Sequence, residues 1–234
     1  YMDATQGWVP TFDDAVTDAP SKGNQNGIFA FGYTGSNTAV SNLVSSSGVV
    51  ATDVSGVGTA RRALAGAEYG EDKGIFGFGY IGAYTAVTNL VSNAGVVATD
   101  TTGVGTGRIE PGACAYGGDK GIFAYGYLNG GPRTAISNLV SNTGVVGTDV
   151  TGVGTARYSL GACGYGYDKG IFAYGDAGAV SSLSNLVSNT GVVATDVTGV
   201  GTARYGAEAA TYGGDKGIFG YGNSGSYVSL TNLV

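Results

Sequence analysis

The chain has 234 residues, with 45 glycines, no histidine, and 17 acidic against 11 basic residues for a net charge of −6. An acidic chain without a Lys/Arg cluster is a poor partner for nucleic acid or anionic lipid, because both are bound by neutralising phosphates, and no apolar run approaches the ~20 residues that span a bilayer. The absent histidine removes the commonest general base and transition-metal ligand, so no metal, cofactor or catalytic role is expected.

The first 26 residues stand apart from the rest. They begin at Tyr1 rather than an initiator Met and carry no secretory signal pattern, which fits a processed product or a fragment. Within them, Gly7-Trp8-Val9-Pro10-Thr11 echoes Gly48-Val49-Val50-Ala51-Thr52. From Gly27 onward the chain repeats itself. Gly-Ile-Phe begins at Gly27, Gly74, Gly121, Gly170 and Gly217, in steps of 47, 47, 49 and 47 residues. Asn-Leu-Val begins at Asn42, Asn89, Asn138, Asn185 and Asn232, in steps of 47, 49, 47 and 47. Both irregular steps come from an insertion in Leu128-Asn129-Gly130-Gly131-Pro132, a Gly/Pro-rich stretch that reads as a loop. The copies divide as 27–59, 60–106, 107–155, 156–202 and 203–234.

A complete unit is legible from Thr155. Tyr158 to Tyr165 predicts a first strand, Gly166-Tyr167-Asp168-Lys169 a turn, Gly170 to Gly175 a second strand, and Asp176 to Ala179 a variable loop. Val180 to Val187 predicts a third strand, Ser188 to Gly191 another turn, and Val192 to Asp196 a fourth strand. Abundant Val, Thr and Tyr with turn residues between them predict an all-β fold, a five-bladed β-propeller with four short strands per blade. Only the first strand is small enough to line a narrow channel, as in Ala65-Gly66-Ala67 and Gly161-Ala162-Cys163, so it is expected innermost. Cys114 and Cys163 fall at one position of successive units, too far apart to bridge, and are read as buried free thiols. The last copy stops at Val234 before a fourth strand, and the first has no recognisable first strand. From Asn232 round through Tyr1 to Gly27 is 29 residues, against 32 from Asn42 to Gly74. An N-terminal strand near Trp8 is therefore expected to close the last blade, and an open array is the rival arrangement.

The order Thr-Ala-Arg, small strand, Gly-Gly-Asp-Lys-Gly-Ile-Phe-Gly-Tyr-Gly and Thr-Asn-Leu-Val resembles the kelch repeat, with Gly-Tyr-Gly in place of that family's double glycine and its aromatic signature missing. Over residues 27–234, Gly-Ile-Phe-Gly-Tyr-Gly and Asn-Leu-Val-Ser-Asn-Thr-Gly-Val-Val-Ala-Thr-Asp are more similar to repeats in fibre or appendage proteins of tailed phages. Tyr1 to Trp8 looks like the final strand of an upstream domain in such proteins. That resemblance implies a virion-surface, extracellular location. The five repeats also resemble the architecture of an invertebrate five-bladed lectin, without its motifs.

Each recurring motif has a structural and a functional reading. The Gly-x-Gly patterns lack the following helix that a phosphate-cradling loop needs. The pairs Asp72-Lys73, Asp119-Lys120, Asp168-Lys169 and Asp215-Lys216 are read as hairpin turns with solvated tips rather than ligand contacts. Asp53, Asp100, Asp149 and Asp196 are read as strand-end acceptors of loop amides rather than calcium ligands. Arg61, Arg108, Arg157 and Arg204 are read as bridges between units, with a ligand role as the other reading.

The copies differ in two places, the loop after the Gly-Ile-Phe strand and the residues just after Arg. In an up-and-down unit these connections emerge on one face, and the nearly invariant turns on the other. Loops on a rigid scaffold carry binding residues. The expected ligand-binding residues are Tyr33, Asn37, Tyr80, Tyr84, Tyr127, Asn129, Arg133, Asp176, Asn223 and Tyr227, a Tyr/Asn-rich set suited to stacking and hydrogen bonding; drift in unconstrained loops is the other reading. The functional expectation is a non-catalytic virion module attaching to host-surface glycan or protein. A structural appendage contacting other virion subunits is the alternative, and a carbohydrate-active enzyme with paired carboxylates comes third.

Overall fold

The computed structural model describes residues 26–234, and these are all-β, without a helix. The expected strand near Trp8 lies outside the described residues. Five small antiparallel sheets follow one another along the chain. The first holds β1 (Gly27–Tyr33) and β2 (Asn37–Val44). The second holds β3 (Ala65–Tyr69), β4 (Lys73–Gly77) and β5 (Thr88–Val91). The third holds β6 (Arg108–Ile109), β7 (Gly112–Tyr116), β8 (Lys120–Leu128) and β9 (Arg133–Val140). The fourth holds β10 (Gly161–Tyr165), β11 (Lys169–Ala173) and β12 (Ser184–Val187), and the fifth β13 (Glu208–Tyr212), β14 (Lys216–Gly220) and β15 (Thr231–Leu233).

The hairpin turns form where sequence chemistry puts them. Tyr69 pairs with Lys73 across Gly70 and Glu71, which take φ of 58° and 67°. Asp and Lys then form an ion pair at the tip, at 2.7 Å for Lys73–Asp72 and 2.5 Å for Lys120–Asp119. Asn93 and Asn142 also donate to Asp72 and Asp119. These turns are structural, and they interlock: the amides of Gly70, Gly117 and Gly166 donate to the carbonyls of Asp119, Asp168 and Asp215 in the next sheet.

The expected strands of the fourth unit are shorter than their sequence pattern: the first starts at Gly161 rather than Tyr158 and the second ends at Ala173 rather than Gly175. The third strand of the fourth unit starts at Ser184 rather than Val180. Opposite this break lies the aromatic residue of the (Gly/Ala)-(Phe/Tyr)-Gly step. Phe31, Phe78, Tyr125, Tyr174 and Tyr221 all sit at φ between 61° and 67°, in the left-handed region. The first and third sheets carry a register shift there, between Ala30 and Gly32 and between Ala124 and Gly126. A bulge of this kind re-aims a side chain out of the sheet plane. Here it sends the ring onto the neighbouring sheet, where Phe78 meets Phe123 at 5.2 Å and Tyr125 meets Phe172 at 5.4 Å, both edge-on.

The expected fourth strand is reduced to two bridge pairs per unit, such as Val187 with Val193 and Ser184 with Val197. Two residues lie between Ser184 and Val187, whereas three lie between Val193 and Val197, so one extra residue breaks the ladder. The asparagine of Asn-Leu-Val fills the break. Asn89, Asn138 and Asn185 are fully buried, and their Nδ2 groups donate to the carbonyls of Ala98, Gly147 and Ala194 and to Asp100, Asp149 and Asp196.

Successive sheets touch through their first strands, β3 with β7, β7 with β10 and β10 with β13. A second inter-sheet seam runs from Glu110 N–H to the Ala63 carbonyl, Ser159 to Glu110, and Gly206 to Ser159. One cavity of about 1680 Å³ is bordered by residues of all five sheets, among them Phe29, Ala67, Cys114, Cys163 and Ala210. The small first-strand residues therefore face a space common to all the sheets. Both cysteines are free and buried. Burial raises the Cys163 thiol to about 11 and the Cys114 thiol higher still.

Candidate binding rim

The rim is built on four arginines. Arg61, Arg108, Arg157 and Arg204 are fully buried, so they are part of the framework and not of an exposed surface. Arg157 donates from Nε to Tyr174 O at 2.8 Å, from Nη1 to Thr155 O at 3.1 Å and from Nη2 to Asn185 Oδ1 at 2.6 Å. Its guanidinium lies 4.3 Å from the Tyr125 ring centre of the preceding sheet, and Arg204 lies 3.7 Å from that of Tyr174. Burial lowers the Arg108 pKa to about 10, partly opposed by Asp149. The backbone locks the same seam: the Arg61, Arg108, Arg157 and Arg204 carbonyls accept from Gly32, Gly79, Gly126 and Gly175 of the sheet before.

The loops leading into Arg61, Arg108 and Arg157 are pinned by a strand-end aspartate. Thr155 donates its amide and hydroxyl to Asp196, and Thr59 and Thr106 do the same to Asp100 and Asp149. The glycine before the threonine is obligatory in this arrangement, since a Cβ on Gly154 would stand 2.4 Å from Asp196 Oδ1. Burial works against ionisation of these aspartates, but the threonine and asparagine donors outweigh it and hold all three below the ordinary carboxylate value. The acceptor role expected of Asp100, Asp149 and Asp196 is what the geometry provides. Asp53 accepts from Asn42 alone among the described residues.

With the arginine fixed, the residue after it is delivered beside the variable loop. Arg62 pairs with Tyr80, Tyr158 with Asp176, Tyr205 with Asn223, and Ile109 with Tyr127. The loops of neighbouring sheets also meet. At the seam of the first and second sheets, Asn37 Nδ2 donates to Tyr80 O at 3.0 Å, and Arg62 Nη1 to Asn37 Oδ1 at 3.2 Å. The Arg62 guanidinium lies 4.8 Å from the Tyr33 ring centre and 4.7 Å from that of Tyr80, which in turn meets Tyr84 edge-on at 6.0 Å.

At the seam of the third and fourth sheets, Arg133 grips Asp176 Oδ1 with Nε at 3.1 Å and Nη2 at 2.7 Å and lies 5.5 Å from the Tyr158 ring centre. Tyr158 packs on Tyr127 at 5.0 Å. Burial opposes the charge on Asp176, but the Gly178 amide and Arg133 hold its pKa below the ordinary value. On the fifth sheet Asn223 accepts from the Gly225 amide, and Tyr227 is 91% exposed.

Nine of the ten expected residues thus fall into three clusters, and Asn129 stands alone and exposed at the tip of the insertion. The sequence reading omitted Arg62, Tyr158 and Tyr205, although each directly follows a recurring arginine, at a position that is Arg, Ile, Tyr and Tyr in the four copies. Among the described residues no group of three or more acidic or cysteine side chains is placed to hold a metal ion. No protein-family model matches the chain, and no curated protein matches it either.

Proposed function

We propose that the chain is a five-bladed β-propeller whose variable rim binds host-surface glycan or protein, without catalysis, on the surface of a virion. The observation that carries the binding reading is the gathering of Tyr33, Arg62 and Tyr80, of Tyr127, Arg133, Tyr158 and Asp176, and of Tyr205, Asn223 and Tyr227 beside one another, where the repeats diverge. Half-exposed tyrosines on a rigid frame suit saccharide stacking and hydrogen bonding at low entropic cost. The propeller reading rests on the first-strand contacts and the cavity shared by five sheets. Closure through the segment near Trp8 is part of this proposal, as is the virion location, which rests on the repeat motifs.

Purified protein applied to bacterial envelope fractions and to a glycan array tests this function. Saturable binding that Tyr33→Ala or Tyr127→Ala weakens is expected. Silence on both surfaces would overturn it.

The alternative, an appendage that contacts only other virion subunits, is favoured by apolar exposure at the two ends of the array. Phe29 is 65% exposed, Tyr221 66% and Leu233 68%, whereas Phe76, Tyr174 and Leu186, their counterparts inside the array, are more covered.

A further inference from the structure

The two tyrosine–arginine clusters of the rim use the same parts in different order. At the third seam the arginine comes from the end of one variable loop (Arg133), the tyrosine follows the buried arginine of the next sheet (Tyr158), and a carboxylate stands at the start of the next loop (Asp176). At the first seam the arginine follows the buried arginine (Arg62), the tyrosine starts the next loop (Tyr80), and the loop-end residue is Asn37. Among the described residues none there supplies a carboxylate. Arg133 gives both Nε and Nη2 to Asp176, whereas Arg62 gives only Nη1, to Asn37, and forms no ion pair among the described residues. Its Nε and Nη2 are not among the buried unsatisfied atoms. They make no hydrogen bond among the described residues, on a guanidinium already oriented by Asn37 and by two tyrosine rings.

We propose that the first seam is a carboxylate-binding subsite for an acidic saccharide, with Arg62 receiving the carboxylate of a uronic or similar sugar and Tyr33, 59% exposed, packing against the sugar ring. The physical case is the contrast between the seams. A guanidinium fork matches a carboxylate with two parallel, charge-assisted bonds, and at the third seam the protein fills that fork from within. At the first seam the fork is ordered but unfilled, so the side-chain entropy of fixing a long cation is already spent before the ligand arrives. Tyrosine beside arginine supplies an apolar face next to a cation, which distinguishes an acidic sugar from a free anion. The proposal rests on the binding function above and narrows it to a ligand class.

The test is calorimetric or array binding of uronate-bearing oligosaccharides against the same oligosaccharides with their carboxyls reduced to alcohols. The acidic form is expected to bind, and the reduced form at least tenfold more weakly. Arg62→Gln should cost about tenfold or more in affinity for the acidic form, the scale of a lost charge-assisted pair, and little for any neutral glycan. Asn37→Asp places a carboxylate beside Arg62, as Asp176 stands beside Arg133, and should abolish acidic-sugar binding while leaving the fold intact. Lys120→Gln, on a turn at the opposite face, should change nothing. Equal binding of acidic and reduced forms, or insensitivity to both Arg62→Gln and Asn37→Asp, overturns the subsite while leaving rim binding standing. Preference for acidic peptides over acidic sugars would equally overturn it. Failure to bind any glycan or envelope fraction removes the rim function itself.

Discussion

The buried arginines carry more than their charge. Arg61 and Arg157 each donate to three backbone carbonyls, Arg108 to two and Arg204 to one, and all four place a cation on an aromatic ring of the preceding sheet. Arg157→Lys keeps the charge but loses the planar fork, so it should lower unfolding free energy by about 2–4 kcal/mol in urea titration. Arg62→Gln, beside the equivalent Arg61 of the second unit, should stay within about 0.5 kcal/mol of the parent. A lysine variant as stable as the parent would deny the clamp. Asp100, Asp149 and Asp196 give a second test. Their folded pKa values lie below those of the unfolded chain, so their contribution is complete above the ordinary carboxylate value and is lost as pH falls through the depressed ones. Urea midpoints should therefore drop between pH 5 and acid conditions, less steeply in Asp149→Asn/Asp196→Asn. Both thiols, their pKa raised by burial, should resist alkylation until the chain unfolds.

At the scale of the element, the unit shows what was legible and what was not. Turns were legible because Gly-x-Asp-Lys has one comfortable conformation, and the first and second strands because their residues fit a pleat. The fourth strand was not, since Val192-Val193-Ala194-Thr195-Asp196 has strand propensity and yet one residue too many for the partner it meets. Propensity carries no information about that register. The role of Asn185 in mending the break was equally hidden, although its recurrence in every copy was the available signal. Asn185→Ala should leave β10 and β11 intact but speed amide exchange at Ala194 and Val197, whose amides bond to Leu186 and Ser184. Unchanged protection at both amides would mean that the bridge pairs hold without the side chain. The positive φ of Tyr174 was also invisible, because aromatic residues rarely adopt it and the strain is offset only by tertiary contacts, with Phe219, Arg204 and the Arg157 Nε bond to its carbonyl.

For the whole molecule, repetition made the sheet order predictable, and the variable loops were expected on one face because alternate connections of a meander must share it. The rim clusters followed only in part. Which residues touch depended on the pairing of Arg62 with Tyr80 and of Tyr158 with Asp176, and that is set by the buried arginine beneath each pair. We propose a radial arrangement of the sheets, in which the first and fifth are neighbours. Spin labels at Thr34→Cys and Ser226→Cys, in a chain with Cys114 and Cys163 replaced by alanine, measure this directly, with the adjacent pair Thr34→Cys and Ala83→Cys as the ruler. A radial arrangement predicts that the two pairs give similar distances. A linear stack, at about 10 Å per sheet, would place the first and fifth about 40 Å apart and contradict it.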